Sequence, residues 1–259
     1  MTLTAEHSVA EPVLIPAGRP QVGGWCAMGS AFALELVCST GPDYVVVDCQ
    51  HGLAGDPLHH LLQAADAMRV PTLVRLPVKD FGAVQRALDA GASGVIVPMV
   101  NDEDDARAAV LAAKYPALGE RSFGPVRARL RLPVALEAAN RRTLCLVQIE
   151  TGEALANLSS ILDVDGIDGV YVGPADLAIS LGHEPGRFAD GAGEELAGIA
   201  EAVRGRGKLA CVHTTSPEMA RVLFAAGYDA CSVGTDAVWL QSAYREVLSR
   251  AVPGSPPAE

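Results

Sequence analysis

The feature that most restricts the possible folds of this chain is a local pattern that recurs eight times. Short apolar runs alternate with stretches that are predicted to be helical. Runs that are apolar throughout are typical of strands that are buried on both faces of a parallel sheet. The eight predicted strands are Val22–Ala27, Tyr44–Asp48, Thr72–Arg75, Gly94–Val97, Leu144–Ile149, Gly169–Val172, Lys208–Val212 and Ala230–Val233.

Eight strands that alternate with helices predict an α/β fold of the (β/α)8 or TIM barrel type. The length of 259 residues agrees with this fold, since such barrels usually contain ~250 residues. An open doubly wound sheet is the alternative, but no GxGxxG motif follows the first predicted strand. We predict a loose tail over residues 1–12, a single barrel domain over 13–250 and a C-terminal tail over 251–259.

Composition restricts the possible partners and the compartment. The net charge of −11 argues against nucleic acid or an anionic membrane as the main partner, because both favour basic surfaces. No apolar run approaches the ~20 residues of a membrane-spanning helix, and the N-terminus lacks the pattern of a signal peptide. The six cysteines form no CxxC pair, so buried, reduced thiols are expected. These observations predict a cytoplasmic protein.

The segment from Tyr115 to Thr143 departs from the repeat, because it is rich in proline, glycine and arginine. A long connection of this kind in a compact domain usually has a function. No aromatic residues alternate with its arginines, so the sequence favours a solvated or inter-subunit loop over a nucleic-acid site. The arginines are Arg127, Arg129, Arg131, Arg141 and Arg142.

Carboxylates follow two neighbouring predicted strands. Glu150 follows the fifth strand and Asp176 the sixth, about one βα unit apart. Catalytic residues of barrels lie at the carboxyl ends of the strands, so we expect both acids at the same edge. Two adjacent carboxylates there predict a site for a hard divalent cation. The alternative is that each acid only interacts with the dipole of the helix that it begins.

Other polar residues at strand ends would meet at the same edge. They are His51 after the second strand, Arg75 at the end of the third and Gln148 in the fifth. Arg75 and His51 each have a structural alternative, because an arginine often pairs with a neighbouring acid and a lone histidine is usually structural. Their convergence from independent strands favours a catalytic site.

These residue types suit the chemistry of a 2-oxo acid. A divalent ion held by two carboxylates keeps open positions, which a carboxylate oxygen and the keto oxygen of pyruvate can fill. The ion and Arg75 would face the keto oxygen, where enolate charge develops. The N–H groups of Gly173, Ala175 and Asp176 would hold the other carboxylate oxygen, and His51 would be the general base. No lysine ends a predicted strand, which argues against a Schiff base, and neither pyridoxal phosphate nor nicotinamide is expected.

A set of short motifs carries a family resemblance that covers the chain from about Gly18 to Leu248. In order and spacing, the chain resembles the metal-dependent (class II) pyruvate aldolases of the 4-hydroxy-2-oxoheptanedioate aldolase type, within the HpcH/HpaI aldolase/citrate lyase superfamily. The motifs are Gly18–Trp25, Val47–Gly52, Leu73–Pro77, Leu88–Gly91, Val97–Val100, Val147–Thr151 and Val172–Leu177.

The resemblance implies a barrel of the phosphoenolpyruvate/pyruvate-binding type and a role for each matching residue. Glu150 and Asp176 would bind Mg²⁺, Mn²⁺ or Co²⁺, and Arg75 would stabilise the keto oxygen. His51 matches the base of the family, and Asp89 matches the acid that orients it. The remaining matches would contact the substrate, and they are Gln148, Gly173, Pro174 and Ala175.

The resemblance also implies a homo-oligomer, typically a hexamer in which the C-terminal helix is exchanged between subunits. Asp236–Arg250 is the matching stretch. Asp89 precedes the fourth predicted strand, at the wrong end of its own barrel, so either a neighbouring subunit or a water-linked contact would have to connect it to His51. Two segments differ from the best-known members, Arg121–Gly124 and His213–Thr215. Both are expected to border the aldehyde pocket.

The sequence therefore predicts a lyase that reversibly cleaves a 4-hydroxy-2-oxo acid into pyruvate, or hydroxypyruvate, and an aldehyde, through an enolate that the metal stabilises. One alternative is a lyase of CoA thioesters of the citrate lyase β-like type. The other is a non-catalytic protein that binds a 2-oxo acid on the same scaffold.

Overall fold

Eight parallel strands close into a barrel in which each strand pairs with the next along the chain and the eighth pairs with the first. The computed structural model describes residues 19–54, 58–130 and 135–251. The predicted terminal tails lie almost entirely outside these ranges. The strands are β1 (Gln21–Cys26), β2 (Tyr44–Asp48), β3 (Thr72–Arg75), β4 (Gly94–Val97), β5 (Leu144–Ile149), β6 (Gly169–Val172), β7 (Leu209–Thr214) and β8 (Ala230–Thr235). The predicted TIM barrel is confirmed.

Helices follow the strands around the outside of the barrel. They are α1 (Ala31–Ser39), α2 (Leu58–Ala67), α3 (Phe81–Asp89), α4 (Glu103–Ala113), α5 (Leu136–Arg142), α6 (Gly152–Ala156), α7 (Leu158–Asp163), α8 (Pro174–Ser180), α9 (Glu194–Arg204), α10 (Pro217–Ala225) and α11 (Asp236–Ala251). None of the helices in the described part of the chain is long and apolar enough to cross a membrane.

Side chains of the strands alternate between two hydrophobic cores, as the two-residue period of a strand requires. The inward set fills the barrel, and Trp25, Tyr44, Leu146 and Tyr171 belong to it. The outward set packs against the surrounding helices. This alternation also decides which residues at the strand ends point into the barrel and which point towards the helices.

Side-chain caps fix the starts of several helices directly after the strands. In each of them a side-chain oxygen accepts a hydrogen bond from a backbone N–H in the first turn, which satisfies a donor that the helix cannot satisfy. The capping residues are Ser30, Asp80, Asp102, Thr151 and Ser216. The short loops between strand end and cap hold the carboxyl edge of the barrel in place.

The long segment between α4 and β5 runs along the opposite, amino-terminal edge of the barrel. Arg127 donates to the carbonyl of Ala90 at 2.6 Å and pairs with Asp66, and both partners lie at or just beyond the C-terminal ends of their helices. Of the two predicted alternatives, a solvated or an inter-subunit loop, the solvated one is wrong for Arg127, which is half-buried, whereas Arg129 and Arg141 are exposed. The inter-subunit alternative stays a prediction.

The six cysteines are free thiols. Five are buried and Cys49 is half-buried. Burial raises the pKa of the Cys49 thiol to about 11 and that of Cys145 to about 12, so both stay protonated at neutral pH. They act as small apolar side chains, as the sequence predicted.

A buried lysine joins three elements at the amino-terminal edge. Lys114 follows α4 and is 2% exposed. Its Nζ donates to the carbonyls of Asn140 at 3.0 Å and Thr143 at 2.6 Å, and to Oδ2 of Asp168 at 2.7 Å. Lys114 thereby satisfies acceptors from the turns that precede β5 and β6.

Lys114→Met is expected to lower the free energy of unfolding by about 3 kcal/mol, because it leaves the carboxylate of Asp168 without its cationic partner and two carbonyls without the lysine donor. Equilibrium denaturation in urea measures the change. The matched control is Lys79→Met, whose exposed pair with Asp105 should contribute less than about 1 kcal/mol. Equal, small effects of the two substitutions would show that the Lys114 cluster does not stabilise the fold.

Candidate active site

The predicted strand-end residues lie on one rim of the barrel. Arg75 is the last residue of β3. Gln148 lies in β5, and Glu150 is the first residue after the end of β5. Asp176 lies in the first turn of α8, after β6. Since all the strands are parallel, their carboxyl ends meet at this rim.

An ion pair between β2 and β3 forms one side of the site. Arg75 donates to Asp48 through Nε at 2.9 Å and through Nη2 at 2.5 Å, and both side chains are buried. Oδ1 of Asp48 also accepts the N–H groups of Gln50 at 2.9 Å and His51 at 3.2 Å. Burial alone would raise the pKa of Asp48, but the hydrogen bonds and the charge of Arg75 lower it. Asp48 thus stays ionised and holds the start of the His51 loop.

The pairing with Asp48 leaves part of the Arg75 guanidinium available. Among the described residues, Nη1 of Arg75 has no hydrogen-bond partner. The guanidinium lies over the indole of Trp25, 4.8 Å from the ring centroid, and the indole N–H donates to Asp48 at 3.2 Å. Arg75 therefore does pair with a neighbouring acid, as its structural alternative predicted. The same contacts also fix the orientation of its guanidinium at the rim.

Glu150 forms the other side of the site. It is 2% exposed, and its Oε1 accepts the N–H of Met99 at 2.8 Å. Met99 has a φ of 56°, an uncommon backbone conformation for a residue with a large side chain. Burial raises the pKa of Glu150, and the charge of Asp176 raises it further. A buried carboxylate next to a second acid is stabilised by a cation between them.

The donor set fits a divalent ion. Oε2 of Glu150 accepts no hydrogen bond from the described residues, and Asp176 is exposed at the rim. No group of three or more histidine, cysteine, aspartate or glutamate side chains suitable for a metal occurs in the described part of the chain. Two carboxylates without a third protein ligand match a hard ion that keeps positions for substrate and water.

Gly173 lies directly against Gln148 and Glu150. A Cβ atom at this position would lie 2.9 Å from Nε2 of Gln148 and 3.0 Å from Oε2 of Glu150. Any larger residue would therefore displace one of these two polar groups. Oε1 of Gln148 is buried without a hydrogen-bond partner, which is costly in a protein interior and is relieved when a ligand supplies a donor.

One detail of the predicted carboxylate-binding backbone is wrong. The N–H of Gly173 donates to the carbonyl of Ile149 at 3.2 Å, so it is not available to a substrate. Pro174 has no N–H and occupies the first position of α8. Ala175 and Asp176 keep their N–H groups free, because the first turn of a helix has no internal acceptors for them.

His51 and Asp89 are not brought together within one chain. His51 lies exposed in the loop after β2. Asp89 is the last residue of α3, at the opposite edge of the barrel, and pairs there with Arg121 at 2.7 Å. Arg121 to Gly124 therefore do not border the site of their own chain either. The role of Asp89 stays a prediction that requires a neighbouring copy or a water-linked contact.

Comparison with known proteins assigns the family. Residues 21–243 match the profile of the HpcH/HpaI aldolase/citrate lyase family. The chain belongs to this family. A hydroxypyruvate/pyruvate aldolase of Rhizorhabdus wittichii is 37% identical over 240 residues, which cover 90% of this chain and 95% of that protein. A 4-hydroxy-2-oxo-heptane-1,7-dioate aldolase of Salmonella arizonae is 42% identical over 173 residues, which cover 65% and 66%.

Solved structures of the HpcH/HpaI family share the barrel. The HpcH/HpaI aldolase of Desulfitobacterium hafniense superposes with a TM-score of 0.85 at 29% identity, over 93% of this chain and 96% of that one. A family protein from Burkholderia cenocepacia gives a TM-score of 0.83 at 29% identity, over 90% and 95%. The family resemblance predicted from the motifs is confirmed.

Two residues of this HpcH/HpaI site received no role from the sequence. Asp48 and Trp25 stand inside motifs that carry the resemblance, and both hold Arg75. Alternate residues of β2 face the inside of the barrel, as Tyr44 and Val46 show, and Asp48 is the next residue in this series. The alternation could therefore have predicted an inward carboxylate beside Arg75.

Proposed function

We propose that this chain is a carbon–carbon lyase that reversibly cleaves 4-hydroxy-2-oxo acids into pyruvate, or hydroxypyruvate, and an aldehyde. The observation that carries the proposal is the meeting of two groups at one rim. Two interacting carboxylates, Glu150 and Asp176, lie there with an arginine whose orientation is fixed by Asp48. The aldolase names of relatives at 37% and 42% identity support the same reaction.

The substrate would bind through its 2-oxo acid end. The free N–H groups of Ala175 and Asp176 suit one carboxylate oxygen, and the unpartnered amide of Gln148 suits a polar contact beside it. Nη1 of Arg75 would donate to the keto oxygen. A divalent ion held by Glu150 and Asp176, when bound, supplies a second positive charge to the same oxygen.

Cleavage then follows from where charge moves. His51 takes the proton of the C4 hydroxyl, the C3–C4 electron pair moves towards C2, and negative charge develops on the keto oxygen. Arg75 stabilises that charge, since it is already oriented and needs no rearrangement. The aldehyde leaves, and C3 takes up a proton to give pyruvate. Addition is the reverse of these steps.

The identity of the metal belongs to this proposal. Mg²⁺, Mn²⁺ and Co²⁺ all accept carboxylate, carbonyl and water oxygens. The buried Glu150 and the exposed Asp176 would hold any of them. We propose no pyridoxal phosphate, nicotinamide or Schiff-base lysine, because the reaction requires none of them.

We also propose a homo-oligomer, a hexamer with an exchanged C-terminal helix. The helix α11 leaves large apolar side chains exposed, and they are Val238, Leu240, Tyr244, Val247 and Leu248. A groove of about 460 Å³ lies nearby, lined by Gly24, Val37 and Trp239 among others. A neighbouring copy would cover this surface and would bring Asp89, with Arg121, to His51. The free thiols support a reducing, cytoplasmic location.

Exchange of the C3 protons of pyruvate tests the proposed function. This reaction needs no aldehyde, so the physiological aldehyde does not have to be known. With Mn²⁺ present, the protein is expected to exchange the methyl protons of pyruvate for deuterium, as followed by NMR, and excess EDTA should stop the exchange. Full activity in EDTA would contradict the metal site. Binding of pyruvate without exchange would indicate a binding protein, and tight binding of CoA would favour the thioester lyase.

A further inference from the structure

His213 is an inward residue at the rim that has no role in the proposed reaction so far. In β7 the side chains of Leu209 and Cys211 point into the barrel, and the strand period places His213 one step above them. It pairs in register with Ser232 of β8. His213 therefore belongs to the same inward layer of the carboxyl edge as Arg75 and Gln148, on the side of the barrel that those residues leave open.

The contacts of His213 tie it to the floor of the site. Its ring packs on the indole of Trp25, with 4.8 Å between ring centroids. The same indole lies under Arg75 and donates to Asp48. Nδ1 of His213 is 2.9 Å from the hydroxyl of Ser232. A ring held on one face and at one nitrogen keeps a fixed orientation.

The hydroxyl of Ser232 determines which ring nitrogen carries the proton. Ser232 is buried, and among the described residues its Oγ is within hydrogen-bond distance of Nδ1 of His213, at 2.9 Å. A buried O–H without an acceptor is costly, so the Ser232 hydroxyl donates to Nδ1.

This direction places the ring proton on Nε2. Nδ1 is the acceptor of the Ser232 hydroxyl, and a neutral imidazole with an acceptor at one nitrogen is a donor at the other. Burial, assisted by the charge of Arg75, lowers the pKa of His213 to about 4, so the ring is neutral at physiological pH. Nε2 has no hydrogen-bond partner among the described residues, and a donor without one is suited to a ligand.

We propose that the Nε2–H of His213 donates a hydrogen bond to an oxygen substituent on C3 of the 2-oxo acid, and so selects 3-hydroxy-2-oxo acids over pyruvate. This inference rests on the proposed function. In that function, groups on β3, on β5 and directly after β6 contact the carboxylate and keto oxygens of the substrate. The C3 atom then has no polar contact, and His213 on β7 is an inward donor that has not been assigned to the substrate. The methyl group of pyruvate cannot accept this bond, whereas the hydroxyl of hydroxypyruvate can.

The test compares C3 proton exchange of hydroxypyruvate and pyruvate, followed by NMR with Mn²⁺ in deuterium oxide. His213→Phe keeps a ring against Trp25 but removes the donor. It is expected to lower kcat/KM for hydroxypyruvate about tenfold more than for pyruvate, the size of one hydrogen bond to substrate. His213→Gln, which keeps a donor, should restore part of the preference. The exposed His59→Phe on α2 is the matched control and should leave the ratio as in the wild type.

Ser232→Ala provides a second variant if His213→Phe does not fold, as judged by its Tm. It keeps the ring but removes the partner of Nδ1, so the ratio should fall in the same direction and by less. A ratio that stays constant in His213→Phe, or a wild-type enzyme that exchanges pyruvate alone, would overturn the inference. Absence of metal-dependent exchange with both acids would instead contradict the proposed function.

Discussion

Glu150→Gln is expected to abolish metal-dependent turnover, with kcat/KM at least about 10³-fold below that of the wild type. The amide keeps the size of the side chain and an oxygen for the N–H of Met99, so the fold should persist. It removes the buried negative charge that, with Asp176, would hold the ion. Several kcal/mol of transition-state stabilisation depend on that charge, and about 1.4 kcal/mol corresponds to tenfold in rate.

Two measurements separate this loss from unfolding. Titration with Mn²⁺, followed by electron paramagnetic resonance, should show tight binding to the wild type and none to Glu150→Gln at the same concentrations. Glu153→Gln is the matched control, because Glu153 is exposed on α6, three residues further along the chain. A Glu150→Gln protein with normal Mn²⁺ affinity would show that the ion binds elsewhere and that Glu150 only caps the Met99 loop.

The strands could be predicted from the sequence wherever burial on both faces made them apolar throughout. The bounds of β2, β3, β4, β5 and β6 agree with the prediction to the residue. The end of β8 was predicted too early, because Gly234 follows Val233 and glycine is typical of turns. In the structure Gly234, with a φ of 65°, lies within the strand. Its pairing with β1 continues past a register shift, where Trp25 pairs with Thr235. Such a shift depends on the neighbouring strand and leaves no local signal.

Helices were harder to predict where tertiary contacts decide them. Helix α5 was not predicted, because Leu136–Arg142 lies in a segment rich in proline, glycine and arginine. The contacts of Asn140 with Tyr115 hold it against the barrel. The predicted helix from Gly152 to Leu162 is instead two helices, α6 and α7, that meet at Asn157. The side chain of Asn157 donates to the carbonyl of Asn101 at 3.0 Å, a contact that no local pattern indicates.

A site residue could be predicted where a charged side chain stands at the carboxyl end of a predicted strand. Glu150 and Arg75 meet both conditions, and they lie on one rim of the barrel in the structure. Trp25 received no role from the sequence, and His213 was expected only to border the aldehyde pocket. Their contacts with Asp48, Arg75 and Ser232 join strands that are distant in sequence. Asp89 shows the limit of a motif match, since the helix that carries it ends at the opposite edge of the barrel.

Arg75→Ala is expected to lower kcat about 10²- to 10³-fold, the usual cost of removing one donor that stabilises a developing oxyanion. Steady-state cleavage of a 4-hydroxy-2-oxo acid, or C3 exchange of pyruvate, measures the loss. The substitution also leaves the carboxylate of Asp48 buried without its partner, which should lower the free energy of unfolding by about 3–5 kcal/mol. Activity must therefore be measured at a temperature where denaturation curves show the variant folded. Arg107→Ala, on the exposed face of α4, is the matched control.

Two further comparisons separate a catalytic Arg75 from a merely structural one. Asp48→Asn keeps the arginine but weakens its orientation, so we expect a loss of kcat that is smaller than that of Arg75→Ala. Guanidinium at millimolar concentration should restore part of the turnover of folded Arg75→Ala, because it can occupy the place of the lost group over Trp25 and donate to the keto oxygen. If Arg75 served only to neutralise Asp48, the double variant Arg75→Ala with Asp48→Ala would recover both stability and kcat. Recovery of stability without kcat is the result that the geometry of the rim predicts.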